Sequence, residues 1–324
     1  MRALVCKELG PADRLVIEEV PDPVAAPGQV LVRVHAAGIN YFDTLLIQGL
    51  YQVKIQPPFI PGNEAAGVVV AVGKDVDNYK TGDRVMIMPE GAAFAELCPV
   101  PVERVIPLHP GLDCEQAAGF TITYGTSYHA FKQSARLKAG ETVLVLGAAG
   151  GVGITAVECA KAMGARVIAA ASTDEKLDFA RSAGADESIN YSTESLKERC
   201  KALTDGRGVD VVYDPVGGEL AQEALRALAW HGRYLVIGFA CGDIPNFPAN
   251  IALLKEASIT GVWWGTWLVK HPAESAQNMK ELFSMVAEGI LKPRVTKSWP
   301  LENYAEAFNS LTNRTARGKV ILTL

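Results

Sequence analysis

At 324 residues the chain is too long for one compact core, because single cores stop growing near ~250–300 residues, so two domains are expected. Its 49% hydrophobic and 21% charged residues are close to the composition of an average globular protein, which excludes the disordered and fibrous classes. The formal net charge of -5 comes from acidic and basic residues mixed along the whole length, without a basic block, so nucleic acid is not expected as a partner.

The first 120 residues are predicted to be mainly strand and loop. Apolar and polar residues alternate from Val32 to His35, an apolar run covers Val68–Val72, and Arg84–Met88 follows a Gly-Asp turn. Pro and Gly punctuate these segments, as they do in β-rich structure. This part of the chain is therefore expected to form a β-rich domain.

From Thr142 onward, short apolar runs alternate with helical stretches. Alternation at this spacing predicts a parallel sheet wrapped by helices. The predicted strands are Val143–Leu146, Arg166–Ala170, Val209–Tyr213 and Arg233–Ile237, and the predicted helices are Gly151–Met163, Glu175–Ser182 and Glu219–Ala229.

Two later segments do not extend this series. Ser275–Gly289 has a helical period, and Val320–Leu324 is predicted to be a terminal strand. Both are expected to return to the first domain. The predicted division is therefore a first domain of residues 1–122 and 265–324 and a second domain of residues 123–264.

Cysteine spacing and hydropathy indicate the cellular context. The six cysteines lie far apart, without a C-x-x-C pair, so reduced thiols are expected rather than a disulfide framework. No apolar stretch reaches the ~18 residues needed to span a bilayer, and the first ten residues carry Lys7 and Glu8. We expect neither an export signal nor a membrane anchor, and we expect a cytoplasmic protein.

A glycine-rich loop follows the predicted strand Val143–Leu146 and precedes a long amphipathic helix. The loop runs from Gly147 to Gly153, and it departs from the usual G-x-G-x-x-G pattern because Ala148 replaces the first glycine. Gly150 would let the backbone approach a pyrophosphate, and Gly153 would let the helix pack closely on the strand. The N–H groups at the helix start would bind the anion. The loop predicts a dinucleotide site, with a tight turn that holds no ligand as the alternative.

The end of the next strand indicates which dinucleotide is bound. NAD-binding units carry an acidic residue there, about 20 positions on, that accepts the ribose hydroxyls. Here residues 170–173 are Ala-Ala-Ser-Thr, and Lys176 follows one turn later. With no carboxylate to repel a 2′-phosphate, NADP(H) is favoured over NAD(H), although Asp174 and Glu175 weaken the preference. The alternative role for Ser172 is to cap the next helix, with Glu175 completing a capping box.

Four segments distributed along the chain resemble the medium-chain dehydrogenase/reductase superfamily. They are Ala37–Asp43, Pro61–Gly67, Gly82–Val85 and the loop Gly147–Gly153. Within the superfamily, Asn40-x-x-Asp43, the glycine loop and Lys176 look most like the zinc-free NADPH:quinone oxidoreductases, the group that includes zeta-crystallin. The resemblance implies an α/β fold: the first predicted domain would be a β-rich GroES-like catalytic domain, and the second a Rossmann domain with a doubly wound parallel sheet.

Zinc-containing members of the same superfamily hold a catalytic metal with a Cys, a His and a second Cys or an Asp. The positions that match these ligands here are Asn40, Asn63 and Ala118. Amides and a methyl group are poor zinc ligands, because the metal prefers thiolate, imidazole or carboxylate. The cysteine-rich lobe that carries a structural zinc is also missing, since Cys98 stands alone. No metal is therefore expected.

The resemblance also implies which residues contact the cofactor. Core packing or a dimer contact explains Trp263 and Trp264 equally well, and His129, which could also reach the cofactor, is more readily explained as a structural residue. The implied positions are Tyr41 and Phe42, with Asp43, near the nicotinamide; Gly150, Gly151, Val152 and Gly153 at the pyrophosphate; Ser172, Thr173, Lys176 and Tyr191 around the 2′-phosphate; Ile237, Phe239, Trp263 and Trp264 at the nicotinamide end; and Arg317 from the last segment.

Without a Lewis acid, the acceptor must already be electrophilic, because a hydride transfer needs somewhere to place the developing negative charge. A quinone meets this need by conjugation. Asn40 and Asn63 would donate hydrogen bonds to its carbonyl oxygen, unless both simply bond to backbone. With Asp43 and Tyr51 they form the predicted catalytic set.

Two other functions stay open at this point. Ile47–Tyr51 resembles the segment of enoyl thioester reductases that carries a proposed proton-donating Tyr, so Tyr51 could protonate the α-carbon of an enal, enone or enoyl thioester. The third function is a non-catalytic NADPH-binding structural or RNA-binding protein, although the charge pattern does not support RNA. Superfamily members usually pair through the edge of the Rossmann sheet, and the largely apolar segment Ser258–Trp263 suits that role, so a homodimer is expected.

Overall fold

The computed structural model describes residues 1–324, and the chain forms two compact units. The first comprises Met1–Ile122 and Pro293–Leu324, and the second comprises Thr123–Lys292.

Strands and helices follow one another along the whole chain. Up to residue 122 they are β1 (Arg2–Val5), β2 (Val16–Glu19), β3 (Gln29–Ile39), α1 (Tyr41–Leu46), β4 (Ala65–Val72), β5 (Arg84–Ile87), β6 (Leu97–Pro101), β7 (Val105–Pro107) and α2 (Cys114–Ala118), with 3-10 turns at Ala12–Arg14 and Val102–Arg104. Next come α3 (Thr121–His129), a π-helical turn (Ala130–Ala135), β8 (Thr142–Leu146), α4 (Gly151–Ala162), β9 (Arg166–Ala171), α5 (Asp174–Ser182), β10 (Glu187–Asn190), α6 (Leu196–Ala202), β11 (Val209–Asp214), α7 (Gly218–Ala227), β12 (Leu228–Val236), α8 (Ala249–Lys255), β13 (Ser258–Gly261), α9 (Trp264–Lys270) and α10 (Pro272–Ala287). The last elements are β14 (Val295–Pro300), a 3-10 turn (Leu301–Asn303), α11 (Tyr304–Thr312) and β15 (Lys319–Thr323).

The first unit is built on a mainly antiparallel sheet of seven strands. Along the sheet the order is β14-β15-β3-β4-β5-β7, with β6 also paired to β3, and only β14 and β15 run parallel to each other. In β3 the side chains of Val30, Val32 and Val34 are buried, whereas those of Arg33 and His35 are exposed. This period of two is the one expected for a strand with one face on the core.

The second unit contains six parallel strands in the order β10-β9-β8-β11-β12-β13. Every residue of β8 is buried, so both faces of the sheet are covered there. β9 and β10 lie on one side of β8 and the later strands lie on the other, so the strand order reverses between β8 and β11. Ligands of such doubly wound sheets bind outside the carboxyl ends of the strands at this reversal. The predicted α/β fold is confirmed.

The structure places residues 265–292 in the second unit, whereas the sequence analysis assigned them to the first. Polar side chains connect α10 to the start of the second unit. The Tyr128 hydroxyl donates to the Glu281 carboxylate at 2.5 Å, and Gln133 and Asn278 exchange hydrogen bonds of 3.0 and 3.2 Å. A helical period predicts a helix but says nothing of such partners, which is why the assignment differed.

The start of β12 also differs from the expectation. The helix predicted to reach Ala229 ends at Ala227 as α7, and β12 begins at Leu228. Its register with β11 shifts early in the strand, and His231 has a φ of 59°. The strand therefore contains an irregularity before Arg233, where the sequence pattern placed its beginning.

No helix in the structure is both long enough and apolar enough to cross a membrane. All six cysteines are free thiols, and four of them are buried. Burial raises the pKa of the Cys98 and Cys200 thiols to about 12, so both stay protonated and unreactive near neutral pH.

Candidate functional site

The glycine-rich loop joins β8 to α4 at the carboxyl edge of the parallel sheet. Gly147 has a φ of 57°, and its carbonyl oxygen accepts a hydrogen bond from the Gly150 N–H at 2.9 Å. A Cβ on Gly153 would lie 2.2 Å from the same oxygen, so only glycine lets α4 pack on the loop. Ala148 is fully buried and its N–H donates to the Ala170 carbonyl oxygen at 3.1 Å. A methyl group is therefore accommodated where the common pattern has glycine.

Gly150 precedes the first turn of α4, which Gly151 and Val152 begin. Both of these residues are half-buried. A Cβ on Gly150 would lie 3.4 Å from the Gly147 carbonyl oxygen, so internal packing does not require glycine at this position. The first N–H groups of a helix have no partner within it, and they attract anions. The arrangement can bind a pyrophosphate.

The residues predicted to surround the 2′-phosphate lie at and after the carboxyl ends of β9 and β10. The Lys176 ammonium donates to the Ser172 hydroxyl at 3.1 Å. The Tyr191 N–H donates to the Ala171 carbonyl oxygen at 3.2 Å. Tyr191 follows β10 and Ser172 follows β9, and these two strands are paired, so both residues lie at the same edge of the sheet. Thr173, which is exposed, lies between Ser172 and α5. Ser172 and Lys176 thus form a polar group that carries a positive charge, and Thr173 and Tyr191 are its neighbours along α5 and β10.

The cap of α5 is Thr173, whose hydroxyl accepts from the Lys176 N–H at 3.4 Å. The alternative role proposed for Ser172, a capping box with Glu175, is wrong, because the helix begins one residue later than that role requires. The Asp174 carboxylate accepts from the Asn190 side chain at 3.0 Å. The Ser172 hydroxyl is therefore not used as a helix cap.

Sequence reasoning missed Asp214, which organises the loop after β11. One oxygen of its buried carboxylate accepts from the N–H groups of Val216 at 2.7 Å and Gly217 at 2.9 Å, and the other accepts from the Tyr234 hydroxyl. Burial raises the pKa of Asp214, and these three donors oppose that rise. A carboxylate directly after the apolar run Val209–Tyr213 was the available signal.

The loop after β11 lies against the glycine loop at the strand-order reversal. A Cβ on Gly147 would lie 2.9 Å from the Val216 side chain. The Ile237 N–H donates to the Asp214 carbonyl oxygen at 2.9 Å, and the Phe239 ring lies 3.1 Å from where a Cβ on Gly217 would be. The half-buried Ile237 and Phe239 therefore follow β12 beside the Asp214 loop.

Trp263 and Trp264 differ in their surroundings. Trp264 is buried against α3, where a Cβ on Gly125 would lie 2.4 Å from its ring, so it has a packing role. Trp263 is 56% exposed. His129 stacks on Trp267 with ring centroids 4.1 Å apart and pairs with Gln133 at 3.2 Å, and burial lowers its pKa. These contacts satisfy His129 as a structural residue.

The first unit contains a buried polar cluster that includes three of the four predicted catalytic residues. The Asp43 carboxylate accepts from the Asn40 N–H at 2.7 Å and from the Asn63 side chain at 2.8 Å. The Asn40 amide donates to Glu64 at 2.9 Å and its oxygen accepts from the Lys319 ammonium at 2.6 Å. Asn40, Asp43 and Asn63 thus come together, and the structure adds Glu64 and Lys319.

Neither Glu64 nor Lys319 was predicted from the sequence to belong to the site. Glu64 stands within the motif Pro61–Gly67, where a carboxylate among small residues was the only signal. Lys319 begins an apolar strand and looks like an ordinary surface lysine at a strand end. Their contact spans 255 positions of sequence, and the Nζ–Oε1 distance is 2.6 Å.

Burial raises the pKa of the Asp43 carboxyl from 3.8 to about 7. The hydrogen bonds from Asn40 and Asn63 and the charge of Lys319 oppose the rise, and the charge of Glu64 adds to it. Asp43 therefore changes its protonation state near neutral pH.

The predicted zinc-ligand positions do not fit a metal ion. Both polar atoms of the Asn40 side chain are engaged, one of them by an ammonium group that would repel a cation. Asn63 donates to Asp43, and Ala118 has no side-chain donor atom. No group of three or more His, Cys, Asp or Glu side chains in residues 1–324 is arranged to hold a metal.

Tyr51, the fourth predicted catalytic residue, is half-buried and stacks on Phe42, with ring centroids 5.4 Å apart and an angle of 28° between the rings. Burial and the charge of Asp43 raise the pKa of Tyr51, so its hydroxyl keeps its proton. Tyr41, like Phe42, is half-buried at the start of α1. Arg317 is exposed, in the first unit, along a polar cavity of about 490 Å³.

Comparisons with known proteins match both parts of the chain. Residues 26–110 match the alcohol dehydrogenase GroES-like domain, and residues 151–286 match a family described as zinc-binding dehydrogenase. The bovine (Bos taurus) quinone oxidoreductase-like protein 2 is 40% identical over 100% of this chain and 92% of its own length. A 2-haloacrylate reductase from Burkholderia is 33% identical over 99% of this chain and 98% of its own.

Solved structures agree with this result. The Escherichia coli quinone oxidoreductase, crystallised in complex with NADPH, superimposes with a TM-score of 0.94 at 30% identity, covering 100% of both chains. The predicted resemblance, with its GroES-like and Rossmann domains, is confirmed. The chain belongs to the zinc-free quinone oxidoreductase family of the medium-chain dehydrogenases/reductases.

Proposed function

We propose that the chain is an NADPH-dependent oxidoreductase that transfers hydride to a quinone without a metal ion. The observation that carries this proposal is the polar group at the carboxyl end of β9, where Lys176 and Ser172 can receive a 2′-phosphate. The glycine loop supports it, because the start of α4 offers N–H groups to a pyrophosphate. The E. coli relative that matches along its whole length was solved with NADPH.

NADPH, when bound, supplies a hydride. The residues of this chain bind and orient the reactants and exclude competing water. Asn40 and Asn63 each donate one N–H of the side-chain amide within the buried cluster, and each amide nitrogen has a second hydrogen. These second N–H groups can donate to the carbonyl oxygen of the acceptor, where negative charge develops.

Reduction of an activated carbon–carbon double bond is the second candidate function. The Burkholderia relative is a 2-haloacrylate reductase, whose name describes such a substrate. Tyr51 supports this candidate, because a phenol that retains its proton can donate it to the α-carbon after hydride addition. Quinone reduction does not need an acid that protonates a carbon atom, since the oxygens of the product take protons readily from water.

Rates for a quinone, an alkenal and an enoyl thioester should be compared for the wild type and for Tyr51→Phe. We expect the variant to keep its quinone rate within about 2-fold and to lose roughly 10²-fold or more on the alkenes, the usual contribution of a general acid. Tyr79→Phe is the matched control, because the Tyr79 hydroxyl donates to the Val105 carbonyl oxygen away from the cluster. Equal losses on all acceptors would contradict a proton-donating role for Tyr51.

The same assay tests the whole proposal. Oxidation of NADPH that depends on the quinone is the expected result. Tight binding of NADPH without turnover of any of the three acceptors would instead support the non-catalytic function, a cofactor-bound structural or RNA-binding protein.

We further propose that the chain forms a homodimer through β13 and works in the cytoplasm. β13 is an edge strand of the six-stranded sheet, and Ile259 and Trp263 expose apolar surface there. Unpaired edges favour pairing with a second strand. Sedimentation should give twice the single-chain mass of 34.6 kDa, and Ile259→Lys with Trp263→Glu should reduce it to one chain. Free thiols suit the cytoplasm, which cell fractionation would check.

A further inference from the structure

A lysine is buried at the start of β15 in the first unit. Lys319 is 6% exposed, and its ammonium lies 2.6 Å from a Glu64 carboxylate oxygen and 2.6 Å from the Asn40 side-chain oxygen. Removing two charges from water is costly, and a well-packed apolar pair of similar volume is often as stable. Stability alone therefore does not explain why an ion pair is found here.

The backbone around Lys319 is shaped to admit its side chain. A Cβ on Gly38 would lie 2.4 Å from the Ala118 carbonyl oxygen, 2.8 Å from Lys319 Cε and 2.9 Å from the Glu64 oxygen. A Cβ on Gly119 would lie 2.4 Å from Lys319 Cγ. Neither glycine has a positive φ, so close approach and not backbone conformation requires them. The lysine side chain therefore lies in a tightly packed space beside two glycines, one in β3 and one at the end of α2.

The two charges determine the orientation of the Asn40 amide. An ammonium group only donates hydrogen bonds and a carboxylate only accepts them, so the Asn40 oxygen must face Lys319 and the nitrogen must face Glu64. The second Glu64 oxygen accepts from the Ile122 N–H at 3.0 Å, which holds the carboxylate in place. Without these two charges, neither neighbour would favour one orientation of the amide over the other.

This orientation decides what Asn40 can offer to a reactant. Its oxygen is occupied by Lys319, and its nitrogen keeps one hydrogen beyond the one given to Glu64. Asn40 can therefore present its remaining N–H as a hydrogen-bond donor, while the Lys319 ammonium engages its oxygen. The ammonium at its oxygen also polarises the amide, which strengthens the remaining N–H as a donor.

We infer that Lys319, together with Glu64, is a positioning residue that locks the Asn40 amide as a hydrogen-bond donor toward the acceptor oxygen. The inference rests on the proposed function for the identity of that acceptor. Asn40, one of the three positions matched to zinc ligands in the sequence, is thus held by an ammonium and a carboxylate.

Lys319→Met keeps the length of the stem and removes the charge. With a quinone acceptor, we expect kcat to fall about 10–100-fold while the KM for NADPH stays within about 2-fold, since residues that orient a functional group have effects of this size. Asn40→Ala should lose at least as much, and Asn40→Ala with Lys319→Met should lose no more than Asn40→Ala alone. Lys132→Met, which breaks the ion pair with Glu281, is the matched control and should keep wild-type rates.

A second variant distinguishes the loss of amide orientation from misfolding of the protein. Lys319→Met with Glu64→Gln removes both members of the ion pair, so neither is left buried without its partner and the variant should fold, yet the amide of Asn40 is then no longer oriented by these two charges. We expect its kcat to remain at least about 10-fold below that of the wild type. A folded double variant with the wild-type kcat would overturn the inference.

A measurement independent of turnover separates this inference from the proposed function. In the amide NMR spectrum of the whole chain, the Asn40 side chain, identified by its loss in Asn40→Ala, should show one downfield proton protected by Glu64. That signal should shift or average in Lys319→Met. If the wild type reduces no acceptor but shows this signal, the proposed function fails and the locked amide stands; if the two Asn40 protons exchange freely in the wild type, the inference fails.

Discussion

Replacing Gly153 with alanine is expected to destabilise the second unit by about 1–3 kcal/mol, the usual cost of overpacking, whereas the same change at Gly150 should leave stability nearly unchanged. A methyl group at 153 would lie 2.2 Å from the Gly147 carbonyl oxygen, and one at 150 would lie 3.4 Å from it. Gly150 has a φ of -73°, which alanine adopts without strain. Thermal unfolding of both variants should show a lower midpoint only for Gly153→Ala, by about 2–4 °C per kcal/mol.

The affinity for NADPH should instead be reduced by the change at Gly150, which leaves stability nearly unchanged. Gly150 faces the space where the pyrophosphate is proposed to lie, so Gly150→Ala should fold normally but bind NADPH at least about 10-fold more weakly. Fluorescence titration with NADPH at a temperature where both variants are folded would measure this. Wild-type affinity in Gly150→Ala would contradict the placement of the pyrophosphate at this loop.

The βα order and the glycine loop could be predicted from the sequence because their signals are local. Buried strands such as β8 are continuous apolar runs, and the glycines of the loop mark a turn that the next helix must approach closely. The position of α10 could not be predicted in this way. The spacing of its apolar residues predicts a helix. The hydrogen bonds from Tyr128 and Gln133 that connect this helix to the rest of the second unit join residues about 150 positions apart, and no local pattern reports them.

The catalytic cluster shows the same limit at the level of single side chains. Asn40, Asp43 and Asn63 stand in short motifs and could be named, whereas Glu64 and Lys319 acquire a role only through their contact across two distant strands. The alternative that Ser172 caps α5 was wrong, and Thr173 is the cap, because adjacent hydroxyl residues are equivalent in sequence. Only the backbone angles of the folded chain distinguish them.

Cofactor preference follows from a single positive charge in the polar group after β9. The Lys176 ammonium lies 3.1 Å from the Ser172 hydroxyl, and no carboxylate replaces Ser172 to repel a phosphate. The Asp174 carboxylate, the negative group nearest to Ser172 in sequence, accepts a hydrogen bond from Asn190. A 2′-phosphate at this position would therefore form hydrogen bonds in which both donor and acceptor are charged, whereas the 2′-hydroxyl of NADH brings no charge of its own to the ammonium.

Lys176→Ala should raise the Kd for NADPH about 10–100-fold, since a hydrogen bond to a charged group contributes about 1.5–3 kcal/mol. The Kd for NADH should stay within about 2-fold, and Ser172→Asp should favour NADH further by repelling the phosphate. Titration with both cofactors, at two salt concentrations, measures the effect, because the charge contribution weakens as salt rises. Lys161→Ala, which removes an ion pair with Asp186 in the same unit, is the control and should alter neither affinity. Equal losses for NADPH and NADH in Lys176→Ala would show that the lysine supports the start of α5 and does not recognise the phosphate.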